Sequence, residues 1–287
     1  MTAPFRRFER REWAALRLTA AMPPTTESLA ALSGINEPIS PDEVAEIYLP
    51  LADMLNVRLT AVPRPAIVAV AGSVAVGKSC FARVLQTVLA RGPHHPRVAL
   101  IGTDGFLHPN LVLEARGLMQ RKGFPETYDL PRLADFLSAA KSGAAKLEAP
   151  VYSHLTYDIA PDRRQVIERS DILILEGVNA LQPAAGGFVD FSIYLDADER
   201  DIEAWFMERF KLLQQTAFQD PASYFYRYRD VAAEAALVFA AAAWREINLV
   251  NLREHIAPTR ERADLVLMKR ADHSVGEIRL RPISARS

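Results

Sequence analysis

The chain has 287 residues, 49% of them hydrophobic, and a formal net charge of −1. This composition supports a large core and excludes a disordered chain; the near-zero charge argues against a general pull toward nucleic acid or an anionic membrane. A single cysteine, Cys80, excludes an intrachain disulfide framework and fits a reducing, cytoplasmic compartment.

The first ten residues hold no apolar signal core, and Glu9 and Glu12 stand among the arginines, against a transit peptide. Residues 5–62 read as helical. Ser40-Pro41-Asp42-Glu43 is a helix start, with a Ser cap, a Pro in the first turn and an acidic pair, and apolar spacing carries the helix from Val44 to about Leu59. Pro63-Arg64-Pro65 ends it and launches the first strand. Strand-like apolar runs fall at 67–71, 98–102, 172–175, 189–195 and 265–268, with helical patterns at 79–91, 131–142, 198–214 and 229–253 between most of them. Such alternation predicts an α/β fold: a mostly parallel sheet with helices on both faces. The expected organisation is one structural domain, with residues 1–62 an N-terminal helical extension and 63–287 the core. Gly186-Gly187 reads as a surface loop, and His94-His95 as a surface pair without metal-ligating partners. The apolar stretch 235–244 is too short to span a membrane and reads as a buried helix.

Chemistry enters at Gly72-Ser73-Val74-Ala75-Val76-Gly77-Lys78-Ser79, between the first strand and a helix. This strand–loop–helix order is that of a phosphate-cradling P-loop. Backbone N–H groups and the helix dipole converge on an anion, Lys78 reaches the terminal phosphates, and the Ser79 hydroxyl suits Mg2+. A nucleoside triphosphate is the expected ligand. Asp104, at the end of the second strand, faces the same spot. It reads as a base for an attacking hydroxyl, as a water-linked metal ligand, or as the cap of its own turn. Glu176 ends another strand and reads as a metal-linked acid or as a solvent-facing carboxylate. Arg209, on a helix, reads as a clamp on the transferred phosphoryl group or as a surface partner of Glu208 or a neighbouring acid. Arg83 lies one turn past the loop, near any bound phosphate; taken alone it reads as a solvated helix residue. Tyr152, His154 and Tyr157 are hydrogen-bonding groups within six positions, suited to a small polar acceptor or to ordinary half-burial.

Taken together, these segments resemble the prokaryotic type I pantothenate kinase family, P-loop NTPase-like in fold. The likeness runs from about Phe8 to Leu280. It is carried by Gly34-Ile-Asn-Glu37, 43–51 (EVAEIYLPL), the P-loop, 103–110 (TDGFLHPN), Lys122-Gly-Phe-Pro-Glu126, 149–154 (APVYSH), Ile174-Leu-Glu-Gly177, 244–248 (WREIN) and 258–263 (PTRERA). The resemblance implies ATP-dependent phosphorylation of the primary hydroxyl of pantothenate to 4'-phosphopantothenate, the first step of coenzyme A biosynthesis, with coenzyme A as feedback inhibitor and a homodimeric enzyme. By position it implies Asp104 as base, Lys78 and Arg209 on the phosphoryl group, and Ser79 and Glu176 at the metal. It further implies Tyr152, His154, Tyr157 and Asn248 at the pantothenate or coenzyme A site, and Asn36 and His273 flanking the adenine. The N-terminal extension would then complete the nucleotide pocket.

Three departures stand out against the family pattern. Phe206 replaces a usual Tyr and Leu213 a usual aromatic, which implies a higher KM for pantothenate and weaker feedback inhibition. Cys80 replaces a usual Thr in the first turn of the P-loop helix. It is expected to be buried and inert; the alternative is a thiol activated by the helix N-terminus. The stretches 56–67 and 182–188 are also shorter than usual and read as trimmed surface loops.

Overall fold

The computed structural model describes residues 4–19, 22–35, 37–92 and 96–282. His94-His95 lies outside these residues.

Nine strands form two sheets among the described residues. They are β1 (Arg6–Glu9), β2 (Ala66–Gly72), β3 (Val98–Gly102), β4 (Lys146–Ser153), β5 (Asp158–Glu168), β6 (Ile172–Glu176), β7 (Phe191–Asp196), β8 (Leu265–Lys269) and β9 (Val275–Leu280). The main sheet runs β1-β9-β8-β7-β2-β6-β3. Its five inner and far-edge strands, β8, β7, β2, β6 and β3, are parallel. The parallel reading therefore holds at the centre, where every residue of β2 and β7 is buried. Strands buried on both faces read as unbroken apolar runs, which is why these were legible.

The helices are α1 (Arg10–Ala14), α2 (Thr26–Leu32), α3 (Pro41–Glu43), α4 (Leu49–Arg58), α5 (Lys78–Ala90), α6 (Asn110–Ala115), α7 (Leu130–Lys141), α8 (Pro183–Gly186), α9 (Glu199–Gln215), α10 (Ala233–Ala243) and α11 (Leu249–Asn251). Ser40 Oγ accepts from the Glu43 N–H, the expected cap. The helix that follows begins as a π turn, Val44–Tyr48, before continuing as α4.

Four expectations change. The N-terminal segment opens with a strand: β1 pairs antiparallel with β9 and buries Phe8 edge-on against Trp13, ring centres 5.7 Å apart. Four residues with one inward side chain are too few to show a period of two. Second, β4 and β5 form a separate antiparallel hairpin absent from the predicted strands. Most of β5 is exposed, so it lacks the apolar run that marks a strand. Third, Gly186 closes α8, with only Gly187 outside it.

The fourth concerns the stretch 235–244. Helical winding continues past Trp244 through π and 3-10 turns, so that Ala233–Arg262 is 30 residues long, with a mean hydropathy of 1.2 in its most apolar window. By length and composition alone it is long enough to cross a membrane, but 28% of that window is already buried inside the fold. It is not a fully buried helix either: Ala236 and Ala240 face inward, whereas Val238 and Phe239 are 67% and 60% exposed.

Candidate active site

The carboxyl ends of β2, β3 and β6 meet where the strand order reverses, the usual place for a ligand in an open parallel sheet. The P-loop leaves β2 at Gly72, where a Cβ would lie 2.5 Å from the Leu195 carbonyl oxygen. Ala75 (φ 62°) and Gly77 (φ 94°) are left-handed and curl the backbone between Ser73 and Ser79 into an anion-binding nest. Val74 and Val76 pack on the core beneath it. Lys78 Nζ donates to the Ser73 carbonyl across 2.7 Å, bracing the loop. Burial pushes the Lys78 ammonium down, against the pull of Glu176 and Asp104. The Ser73 hydroxyl is buried without a partner among the described residues.

Ser79 Oγ donates to Glu176 Oε1 across 3.0 Å. Burial raises the Glu176 pKa, while Lys78 opposes the rise. Asp104 sits on a 3-10 turn, Thr103–Phe106, directly after β3. Its Oδ1 accepts from the hydroxyl of Tyr128, 3.1 Å away. Arg209, on α9, makes no ion pair among the described residues. Its charge lowers the pKa of both Lys78 and His154, bringing it into the field of the P-loop.

A cavity of about 220 Å³ opens beside the loop, lined by Glu37, Glu43, Tyr48, Cys80, Lys269 and His273 among others. One wall comes from the N-terminal segment and the opposite wall from the turn after β8. Asn36, expected here, lies outside the described residues. His273 has a left-handed backbone (φ 68°) and stacks on Trp205, ring centres 4.2 Å apart. Burial, with help from Lys269, lowers its pKa to about 4. Lys269 Nζ donates to the Val76 carbonyl at 3.0 Å, gripping the P-loop from the far side. Cys80 is buried and donates to the Leu32 carbonyl at 3.4 Å. Burial raises its pKa, which favours the buried, inert reading of this thiol. Arg83 Nε donates to the same carbonyl at 3.0 Å, which ties α5 to the end of α2.

On the other side of Asp104 lies an aromatic cluster. Tyr152 is on β4; His154 and Tyr157 lie in the turn of the hairpin. Tyr152 meets His154 at 5.1 Å and Tyr157 at 6.3 Å, ring centre to centre. Tyr157 also packs on Tyr224 and Phe225. Burial lifts the pKa of both tyrosines, Tyr157 to about 12. The hairpin thus brings the three expected residues together.

Phe206 packs on Trp244 at 5.5 Å, and Asn248 closes the π turn that Trp244 begins. The Asn248 amide donates to its own helix at the Ala243 carbonyl, 3.1 Å away, and its side-chain oxygen has no donor among the described residues. π turns of this kind recur at functional sites.

Several site residues were missed. Lys122 is buried; its ammonium bonds Asn110 Oδ1 at 2.6 Å and the Tyr157 carbonyl at 2.5 Å, and lies 4.1 Å from the Tyr157 ring centre. Burial lowers its pKa to about 8. The Lys-Gly-Phe-Pro-Glu run that carries it was visible, but nothing local aims it at a tyrosine 35 residues away. Tyr128, Trp205 and Lys269 were missed for the same reason.

The fold and loop define a P-loop kinase, and residues 67–209 match the sequence profile of the Phosphoribulokinase / Uridine kinase family. Among solved structures, the chain resembles D-glycerate 3-kinase from Cryptococcus neoformans (TM-score 0.52, 14% identity, 79% of this chain and 97% of that one) and the YGR205w protein (TM-score 0.58, 14%, 82% and 98%), a likeness of fold alone. Curated relatives are far more similar. A pantothenate kinase of Parvibaculum lavamentivorans is 50% identical, covering 98% of this chain and 94% of the relative. Those of Brevibacillus brevis (47%, covering 99% and 98%) and Salmonella newport (48%, covering 98% and 98%) match as fully. The chain belongs to the pantothenate kinase family.

Proposed function

We propose that this kinase transfers the γ-phosphoryl group of ATP to the primary hydroxyl of pantothenate, giving 4'-phosphopantothenate and ADP. The observation that carries the reading is Asp104, held by Tyr128 across 3.1 Å between the P-loop and the aromatic hairpin. The Asp104 carboxylate takes the hydroxyl proton as the alcohol oxygen bonds to the γ-phosphorus and the bond to the β–γ bridging oxygen breaks. Lys78 and Arg209 offset charge on the transferred group. Tyr152, His154, Tyr157, Phe206 and Asn248 enclose pantothenate.

Ser79 and Glu176 present a hydroxyl and a carboxylate 3.0 Å apart, oxygen donors that fit Mg2+, which takes one or two protein ligands beside substrate phosphates. When bound there, it would neutralise the β- and γ-phosphate oxygens.

The cavity walled by Glu37, Glu43 and His273 takes the adenine, so that the N-terminal segment completes the nucleotide pocket. Coenzyme A acts as feedback inhibitor, with Arg83 near its phosphates and Leu213 weakening its adenine stack. The exposed apolar side chains Val238 and Phe239 on α10 support a homodimer, because a second copy would remove them from water. The enzyme works in the cytoplasm, consistent with its free, buried Cys80.

The test is ADP release from ATP and Mg2+ with pantothenate, uridine or ribulose 5-phosphate, for the wild type and Asp104→Asn. Turnover on pantothenate alone, lost in the variant while nucleotide still binds, is expected. Turnover on uridine or ribulose 5-phosphate, or full activity of the variant, would overturn the reading.

A further inference from the structure

Trp205 does not belong to the predicted site, yet it meets two residues that line the cavity beside the P-loop, Lys269 and His273. It is 4% exposed. Its indole N–H donates to the Ala271 carbonyl across 3.0 Å, in the turn between β8 and β9. Its ring stacks on His273 in the same turn, at 4.2 Å and 23° between planes. The Lys269 ammonium lies 5.3 Å from its centre and bonds the P-loop at Val76. Trp205 also precedes Arg209 by four residues on α9, so the two share a helix face.

The turn needs such a tie. His273 carries a Cβ in a left-handed conformation, which persists only where surrounding contacts over-determine it. Its Nδ1 is buried with no partner among the described residues, so hydrogen bonding at that atom does not fix the ring. The turn's own bonds, donated by the Ser274 N–H and hydroxyl to the Asp272 carboxylate, brace its tip. Trp205 joins this turn to the helix of Arg209.

We propose that Trp205 is a positioning residue that clamps the turn 270–275 against α9, setting nucleotide affinity without contacting the acceptor. This rests on the reading of the cavity as the nucleotide site. A tryptophan buried only for packing would, on replacement, lower stability and leave the ratio of the two Michaelis constants unchanged.

The test compares Trp205→Phe and Trp205→Leu with Trp13→Phe, another buried indole bonded to a distant carbonyl, that of Ile47. Calorimetric ADP affinity, the KM for ATP and for pantothenate, and the melting temperature are measured. Trp205→Phe keeps a ring on His273 but loses the N–H, and weakens ADP about five-fold, the worth of one neutral hydrogen bond. Trp205→Leu weakens it further. Both leave the KM for pantothenate within about two-fold, and Trp13→Phe changes stability alone. ADP also shifts the tryptophan emission of the wild type, and that shift is absent from Trp205→Phe.

Unchanged ADP affinity in folded Trp205→Phe, or a parallel rise in both Michaelis constants, would overturn the proposal. If Trp205→Leu fails to fold, Trp205→Phe decides. A wild type that binds ADP without phosphorylating pantothenate would sink the proposed acceptor and leave the ADP comparison valid. A wild type that does not bind ADP would overturn both.

Discussion

Tyr128 donates its hydroxyl to Oδ1 of Asp104 across 3.1 Å, and burial beside that carboxylate raises the tyrosine pKa well above its usual value. Tyr128 therefore remains a donor at any working pH. It occupies one carboxylate oxygen and leaves the other for the proton that the proposed reaction transfers. Tyr128→Phe is expected to lower kcat about ten-fold with little change in either KM, because it loosens the base without removing it. Asp104→Asn should cost about 10²–10⁴-fold, the usual worth of a general base. Steady-state kinetics on both variants checks the order; equal losses would deny Tyr128 a merely orienting part.

Ser79 and Glu176 are expected to act together. Glu176→Gln keeps the size of the side chain and removes its charge. The Mg2+ concentration for half-maximal rate should rise by about ten-fold or more, whereas nucleotide affinity measured without metal should hold. A magnesium titration at saturating ATP distinguishes this from general damage.

Phe206 lies against Trp244, ring centres 5.5 Å apart. Restoring a hydroxyl in Phe206→Tyr is expected to lower the KM for pantothenate by about five-fold, equivalent to one neutral hydrogen bond of about 1 kcal/mol. The melting temperature should barely move, since the ring is retained. A KM that stays constant or rises would show that no acceptor group waits there.

His273 has a folded-state pKa of about 4, below its unfolded value, because burial and Lys269 disfavour the imidazolium. Between about pH 6.5 and 4 the unfolded chain binds this proton and the folded chain does not. The contribution of His273 is thus complete above pH 6.5 and is lost as pH falls through that window. His273→Asn, which tolerates the left-handed backbone, should flatten the acid limb of a stability-versus-pH profile. An unchanged limb would assign acid lability to other groups.

Cys80 is buried, its Sγ–H turned to the Leu32 carbonyl, and its pKa is raised by burial and by Glu37. A thiol of this kind is expected to react with iodoacetamide only on unfolding. Mass spectrometry of native protein treated at pH 7.5 should find Cys80 unmodified with or without ATP; rapid labelling that ATP prevents would contradict this.

Local pattern alone determined the α/β class, the parallel core, the P-loop and the strand-end acids Asp104 and Glu176. These features lie within short segments whose apolar runs, glycines and caps act on neighbours in the chain. The edge strand β1 and the hairpin β4–β5 escaped, because their pairing with β9 and with each other supplies the order that their own composition lacks. The same reason explains Lys122, Tyr128, Trp205 and Lys269. Each is an ordinary residue in its own segment and becomes part of the site through a partner 24 to 193 positions away. Tertiary structure also set the surroundings of Cys80. A helix N-terminus by itself lowers a thiol pKa, whereas burial against the end of α2 pushes it up.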